Sequence, residues 1–418
     1  FFYKLNFFKT FIFFIISLFF LIKFSNIDGN YYLRKKHIFK NIVHSYSRYK
    51  KEITDLNNFL NNFENLTKNI TSISNDQNEA TYVFIIGESF TKHHSSLYGY
   101  PRNTNPSMKN LKEDGSLFIF KDVVSPHHFT RETLKKLVST FAHDSDTTFE
   151  NSMNIIDIMK KAGFKTYWIS NQEDFAFRGA GLSAIANRAD VVNFTENHYV
   201  QDRGEKIYDE AILPLFNNAI NDKSVQKKFI VLHLFGSHAA YKYRYPQKFI
   251  TFPLDETPDF FNNLQKEHKE IVNHYDNSLI YNDYIINSII TKLTNTNSFI
   301  LYLSDHGQTL YEDVNDIASP IPSKTLRGVE IPMIFWASTN YFNLHPEIIA
   351  NIKLSLENPY NSEDIIYTLI DLCNIKYSHQ ISEKSIISKK FKPKKRIISS
   401  DNEIYEDLKE RNIKCLSK

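Results

Sequence analysis

Three short segments gather side chains that bind cations or move protons: Gly87-Glu88-Ser89, Gly236-Ser237-His238 and Ser304-Asp305-His306-Gly307. Glu88, Asp305 and His306 supply two carboxylates and an imidazole, donors that zinc and manganese both accept. An adjacent Asp and His cannot share one side of a strand, but at a loop crest with Gly307 behind them both can turn inward. Each segment also has a bland reading: a helix N-terminal charge for Glu88, a surface imidazole for His238 and an ordinary turn for Asp305-His306-Gly307. A metal held by this donor set keeps a position open for a nucleophile or a substrate oxygen. Thr130 is the candidate nucleophile. It lies in Ser125-Pro126-His127-His128-Phe129-Thr130-Arg131, which is expected to open a helix. Backbone N–H groups at a helix start suit a phosphate, although Thr130 is also chemically fit to cap that helix and do no more.

The elements that must position these groups follow from periodicity. Short apolar runs at 82–86, 166–169, 229–234, 299–303 and 334–336 are expected as buried strands, and 152–162, 208–220 and 275–293 as the helices between them. This alternation predicts an α/β sheet covered on both faces. Three of the motifs follow directly on these strands, and ligands in doubly wound sheets bind beyond the strands' carboxyl ends.

Upstream, an aromatic and aliphatic run at 11–22 is flanked by Lys9 and Lys23, and extended to 7–24 with those lysines snorkelling it is just long enough to cross a bilayer. No small-residue cleavage site follows it, which favours a retained span over a signal sequence. The expected organisation is therefore a transmembrane segment at 1–24, an amphipathic helical linker at 25–79 and a catalytic domain at 80–418. Opening on Phe1, the chain reads as a fragment or processed form. Arg34, Lys35, Lys36 and Lys40 outnumber Lys4 and Lys9, which by the positive-inside rule places the following domain in the cytoplasm. A basic run, 389–396, is expected as a solvated loop before a late strand. With 50 Lys and Arg against 47 Asp and Glu, the chain has no global field to draw nucleic acid. The two cysteines, Cys373 and Cys415, lie far from the motifs and indicate neither a disulfide framework nor a thiolate site.

Longer blocks carry a resemblance. Val83 through Ser89, then His93-His94-Ser95-Ser96-Leu97-Tyr98-Gly99-Tyr100-Pro101-Arg102-Asn103-Thr104-Asn105-Pro106, resemble the opening of the lipopolysaccharide phosphoethanolamine transferases, within the alkaline phosphatase and sulfatase-like superfamily. Later blocks agree in order, among them Tyr208-Asp209-Glu210, Arg244-Tyr245-Pro246, Tyr275-Asp276-Asn277-Ser278, Asp305-His306-Gly307 and Glu330-Ile331-Pro332, over about 80–375. The resemblance implies a mostly parallel sheet sandwiched between helices, behind an inner-membrane bundle of which 7–24 would be the last span. It also implies a periplasmic catalytic domain, reversing the charge-based orientation. It implies that Glu88, Thr130, Asp305 and His306 bind zinc, with manganese the alternative, and that Thr130 carries phosphoethanolamine from phosphatidylethanolamine to lipid A or core sugars. His238 would contact the phosphoryl group or the acceptor.

The chain departs from the family pattern in two places. Lys92 stands where an Arg is common, and no His lies between Gln308 and Glu330, so a second phosphate-side imidazole is either missing or supplied from elsewhere, with His127 and His128 the candidates. A formylglycine sulfatase is disfavoured, because neither cysteine begins a Cys-x-Pro-x-Arg motif. A phosphodiester hydrolase, a glycerol-phosphate transferase and an inactive membrane-tethered binding protein remain the competing readings.

Overall fold

The computed structural model describes residues 11–17, 19, 38–76, 79–172, 180–195, 208–253, 256–312 and 325–416. The chain divides into two compact units, 1–58 and 59–418.

In the first unit, 11–17 and 19 are helical, with Phe11, Phe13, Phe14 and Phe19 exposed. The rest of the expected 7–24 span lies outside the described residues, among which no helix is long and apolar enough to cross a membrane. The expected amphipathic helix is present as α1 (Ile38–Lys68), and on it Ile42, Val43, Tyr46 and Tyr49 are exposed. Residues 59–76, expected within the linker, pack with the larger unit. Lys161 Nζ donates to the Thr67 carbonyl at 2.7 Å, and Ser72–Ser74 pairs antiparallel with Ile375–Tyr377.

Seven strands build the central sheet of the larger unit: β1 (Ala80–Gly87), β2 (Leu117–Phe120), β3 (Lys165–Ser170), β4 (Val191–Phe194), β5 (Lys227–His233), β6 (Ser298–Ser304) and β7 (Met333–Ala337). Their order is β2-β7-β6-β1-β5-β3-β4, and every pairing is parallel except the two made by β7. All five expected strands are present. The sequence reading missed β2 and β4, four-residue edge strands too short for a periodic signal.

β1 is buried at every position because both faces of the sheet are covered. Val83 and Ile85 face a core shared with Ile212–Ile220 and with α2 (Lys266–Ile290), where Val272, Tyr275, Leu279, Ile286 and Ile290 recur at helical spacing. Tyr82 faces the other way, stacked on Phe299 and edge-on to Tyr341. Helix α2 begins nine residues before its expected start, because its first turns are polar and carry no apolar period.

The basic run near the C-terminus requires a correction. It forms a loop, but Lys394 reaches Glu363 Oε1 at 2.7 Å and Asp364 Oδ2 at 2.8 Å, and buried Arg396 reaches Asp122 and Glu406. Lys394 neutralises two buried carboxylates and buried Arg396 pairs with two partly exposed ones, and the loop ends in a single bridge, Ile397 to Ile404, in place of the late strand.

Candidate active site

Parallel register brings the acidic motifs together. Gly87 pairs with Ser304 across β1 and β6, so the next residues, Glu88 and Asp305, leave the sheet side by side. Glu88, Asp305 and His306 are all buried, with potential ligand atoms within 4.8 Å of one another. His306 Nε2 lies 3.3 Å from Glu88 Oε1 and 3.6 Å from Asp305 Oδ2. The Gly307 carbonyl, 2.7 Å from Nδ1, fixes the ring so that Nε2 points inward.

Thr130 is the first residue of the helix Thr130–Leu137, and Phe129 occupies the cap position. The threonine is therefore not a cap. Its Oγ1 donates to both Glu88 oxygens, at 3.3 and 3.2 Å, which places a helix-start hydroxyl directly on the carboxylate cluster.

The charges at this cluster are unbalanced in a way a cation would correct. Burial alone would raise Glu88, but the bond and charge of His306 outweigh it and hold the carboxyl well below its usual range. Burial and the nearby Glu88 charge push Asp305 up. Burial would lower His306, yet Asp305 and Glu88 together raise it. Two buried carboxylates this close share their negative charge with difficulty. Asp305 Oδ2 is buried with no hydrogen-bond partner, the mark of an acceptor built for something other than a protein donor. The donor set thus fits a divalent metal.

Gln172 escaped the sequence reading, as did the supporting roles of Ser89, Tyr275 and Asp209. Gln172 Nε2 donates to Glu88 Oε2 and to the Leu234 carbonyl, both at 2.9 Å. It lies two residues beyond β3, so the carboxyl-end rule that located the other motifs could have found it. Ser89 has φ +56°, a left-handed conformation uncommon for a side-chain-bearing residue. Its N–H donates to Asp305 Oδ1 at 3.0 Å, and its carbonyl accepts from Tyr275 Oη at 2.7 Å. Asp209 accepts from the Phe235 and Gly236 N–H groups at 2.8 and 2.9 Å, shaping the turn that carries His238.

Gly236, at φ +50°, lies so close to Glu88 that an added Cβ would sit 2.9 Å from its carbonyl oxygen and 3.0 Å from its nitrogen. Gly236→Ala is expected to destabilise the fold by about 1–3 kcal/mol and to weaken metal uptake by shifting Glu88. Thermal unfolding and metal content of the purified variant check this.

The remaining predicted residues are placed differently. His238 is exposed at the rim, packed on Phe235, and near enough for its charge to lower Glu88. His127 and His128 are not brought into the cluster. His127 Nε2 pairs with Ser400 Oγ at 3.0 Å and His128 Nε2 with the Thr325 carbonyl at 3.3 Å. Burial holds both imidazoles down, His128 to about 4. Lys92 turns away from the cluster, its ammonium 3.6 Å from Glu330 and 3.4 Å from the Lys121 carbonyl, because Glu330 offers a buried carboxylate on that side.

The Ser-Leu-Tyr-Gly-Tyr-Pro-Arg block proves to be scaffold. Arg102 Nη1 donates to Asp276 Oδ2 at 2.7 Å, Tyr100 Oη to the same oxygen at 2.8 Å, and His94 Nδ1 meets Asp276 Oδ1 at 2.6 Å. Gly99 makes the turn between these anchors at φ +98°. His94 Nε2 also bonds Glu312 Oε1, at 2.9 Å. Burial would lower His94, but Asp276 and Glu312 outweigh it and raise it to about 9. Since this folded value exceeds the unfolded value of about 6.5, the stabilisation from His94 is complete below that pH and is lost as pH rises through 9. Urea midpoints between pH 6 and 10 should fall accordingly, and His94→Gln should flatten the decline.

With this geometry in view, the chain can be set beside known proteins. A family model described as Sulfatase matches residues 80–375. The chain belongs to the sulfatase family. It is 32% identical over 371 residues to phosphoethanolamine transferase EptC of Escherichia coli K12, covering 85% of this chain and 61% of that protein. Against phosphoethanolamine transferase CptA of Salmonella typhimurium it is 32% identical over 368 residues, covering 86% and 62%. This sulfatase-family chain thus spans less than two thirds of the length of those relatives. The crystal structure of the C-terminal periplasmic domain of E. coli EptC superposes with TM-score 0.71 at 29% identity, over 80% of this chain and 93% of that one. A second structure of the same domain, in complex with Zn, gives TM-score 0.72 at 29% identity, over 81% and 96%. The mostly parallel sheet is the sulfatase fold.

Proposed function

We propose that this chain is the catalytic part of a membrane enzyme that moves phosphoethanolamine from phosphatidylethanolamine to a lipopolysaccharide or related surface-glycolipid acceptor, with its catalytic domain in the periplasm. The observation that carries this reading is Thr130 Oγ1 on Glu88, inside a buried cluster of two carboxylates and an imidazole. The names of the similar transferases supply the group transferred, and the Zn complex of the EptC domain favours zinc in a site held by Glu88, Thr130, Asp305 and His306.

A divalent cation bound there supplies Lewis acidity, lowering the pKa of the threonine hydroxyl and offsetting phosphoryl charge. Glu88 holds the hydroxyl in place, and Gln172 holds Glu88. Thr130 Oγ1 forms a bond to phosphorus as the bond to the diacylglycerol oxygen breaks, and the hydroxyl proton ends on that oxygen, so diacylglycerol departs as the alcohol. An acceptor hydroxyl or protonated phosphate oxygen then attacks phosphorus, the bond to Oγ1 breaks, and the acceptor's proton passes to Thr130 Oγ1. His238, at the exposed rim, is placed to meet the phosphoryl oxygens or the acceptor.

Peptide mass spectrometry after incubating the zinc-loaded chain with phosphatidylethanolamine tests this reading. A phosphoethanolamine adduct is expected on the peptide containing Thr130. An adduct elsewhere would overturn the nucleophile, and none at all with metal and lipid bound would overturn the donor.

A further inference from the structure

Residues 234–244 leave the carboxyl end of β5 and carry His238 to the rim of the cluster. The near end of this loop is pinned. Asp209 takes the Phe235 and Gly236 N–H groups, the Ser237 N–H donates to the Glu88 carbonyl at 3.0 Å, and Ser278 Oγ donates to Ser237 Oγ at 2.8 Å. Beyond Ser237 the backbone turns sharply. Ala240 has φ +64°, a left-handed conformation that a side-chain-bearing residue keeps only when its surroundings enforce it.

Arg244 supplies that constraint. Its Nε donates to the His238 carbonyl at 3.1 Å and to the Ala239 carbonyl at 3.2 Å, and its Nη2 donates to the Ala239 carbonyl at 3.0 Å. The planar fork serves two adjacent carbonyls at once, in a geometry an ammonium does not reproduce. The same guanidinium lies over the Phe235 ring, its Cζ 4.0 Å from the centroid, and the His238 ring packs on Phe235 at 5.3 Å with the planes 34° apart. One side chain thus holds both the backbone of His238 and the ring on which its imidazole rests. Arg244 is anchored in turn: its N–H donates to the Tyr241 carbonyl at 2.9 Å, and buried Tyr241 sits edge-on to Tyr275 of α2, 5.0 Å between centroids. Tyr275 also bonds the Ser89 carbonyl, so the loop and the carboxylate cluster are fixed to one helix.

We infer that Arg244 is the positioning residue for His238, holding the imidazole at the rim without itself touching the reacting atoms. Its purpose rests on the transferase reading, in which His238 meets the phosphoryl oxygens or the acceptor. Of His127, His128 and His238, only His238 lies at the rim, so that contact depends on one exposed side chain. Ordering an exposed ring in advance removes an entropic cost from the reaction and fixes its distance to the phosphoryl group.

Arg244→Gln in the full, zinc-loaded chain tests this with one readout that needs no turnover. In a chain labelled at His and Phe rings, the proton–proton NOE between His238 and Phe235 is expected in the wild type and lost in the variant. The His127–Phe129 and His94–Phe261 ring pairs, 5.3 and 6.0 Å between centroids, should keep theirs and report an intact fold. Transfer should fall by about 10- to 100-fold at unchanged zinc affinity, and Arg244→Gln/His238→Ala should be no slower than His238→Ala alone. Should Arg244→Gln fail to fold, Arg244→Lys, which keeps a charge for Phe235 and loses the forked bonds, is read the same way. A persisting His238–Phe235 NOE, loss of all three ring contacts together, a parallel fall in zinc affinity, or an additive double variant would overturn the assignment. Absent transfer by the wild type, or wild-type transfer by His238→Ala, is a different failure. Either removes the reading that gives His238 its task and leaves the positioning, read from the ring contacts, standing.

Discussion

Thr130→Ala is expected to lower transfer by about 10⁴-fold or more, the scale on which enzymes lose rate when a covalent nucleophile is removed. The structure makes this a clean experiment. Thr130 does not cap its helix, since Phe129 holds that position, and its hydroxyl is directed at the carboxylate cluster, on Glu88 and beside Asp305. Alanine is also the strongest helix former, so the helix Thr130–Leu137 should persist. Glu88 keeps its contacts to Gln172, Ser89 and His306, and metal uptake should fall less than activity. Steady-state transfer, measured alongside metal content and circular dichroism, checks the prediction. Full folding and metal binding with wild-type transfer would remove Thr130 from the chemistry.

Asp305→Asn should separate metal binding from folding. Asp305 Oδ1 accepts from the Ser89 N–H at 3.0 Å and the His306 N–H at 2.7 Å, and an asparagine oxygen keeps both bonds. The change falls on Oδ2, the buried oxygen without a protein partner. Replacing it with an amide removes one negative charge beside Glu88, so the metal-free variant should unfold no more easily than the metal-free wild type. Metal affinity, in contrast, should drop at least about 100-fold, since a charged ligand is lost where even supporting residues cost 10–100-fold. Zinc should raise the thermal midpoint of the wild type and leave the variant's nearly unmoved. A variant stabilised by zinc as strongly as the wild type would exclude Asp305 as a ligand.

The donor types were legible because they are local. Glu88, Asp305 and His306 each sit two or three residues past an apolar run, and that adjacency alone marks the carboxyl ends of β1 and β6. Thr130 was legible as a helix-start hydroxyl, with its two possible roles undivided. The long Ser-Leu-Tyr-Gly-Tyr-Pro-Arg block was legible as a family mark, but its work was not. Its hydrogen bonds to Asp276 join positions more than 170 residues apart, and no local pattern encodes such a partner.

What the sequence determined by itself was the set of strands, the donor types at their ends and the resemblance that joined them. Only the tertiary structure decided that β1 lies between β5 and β6, that Thr130 faces Glu88 and not its own helix, that Gln172 supports the carboxylate, and that Lys92, His127 and His128 turn elsewhere. The division has a physical cause. Strand propensity and ligand chemistry belong to a few consecutive residues, whereas strand order and side-chain direction are settled by which buried surfaces and unpaired charges the whole chain must satisfy at once.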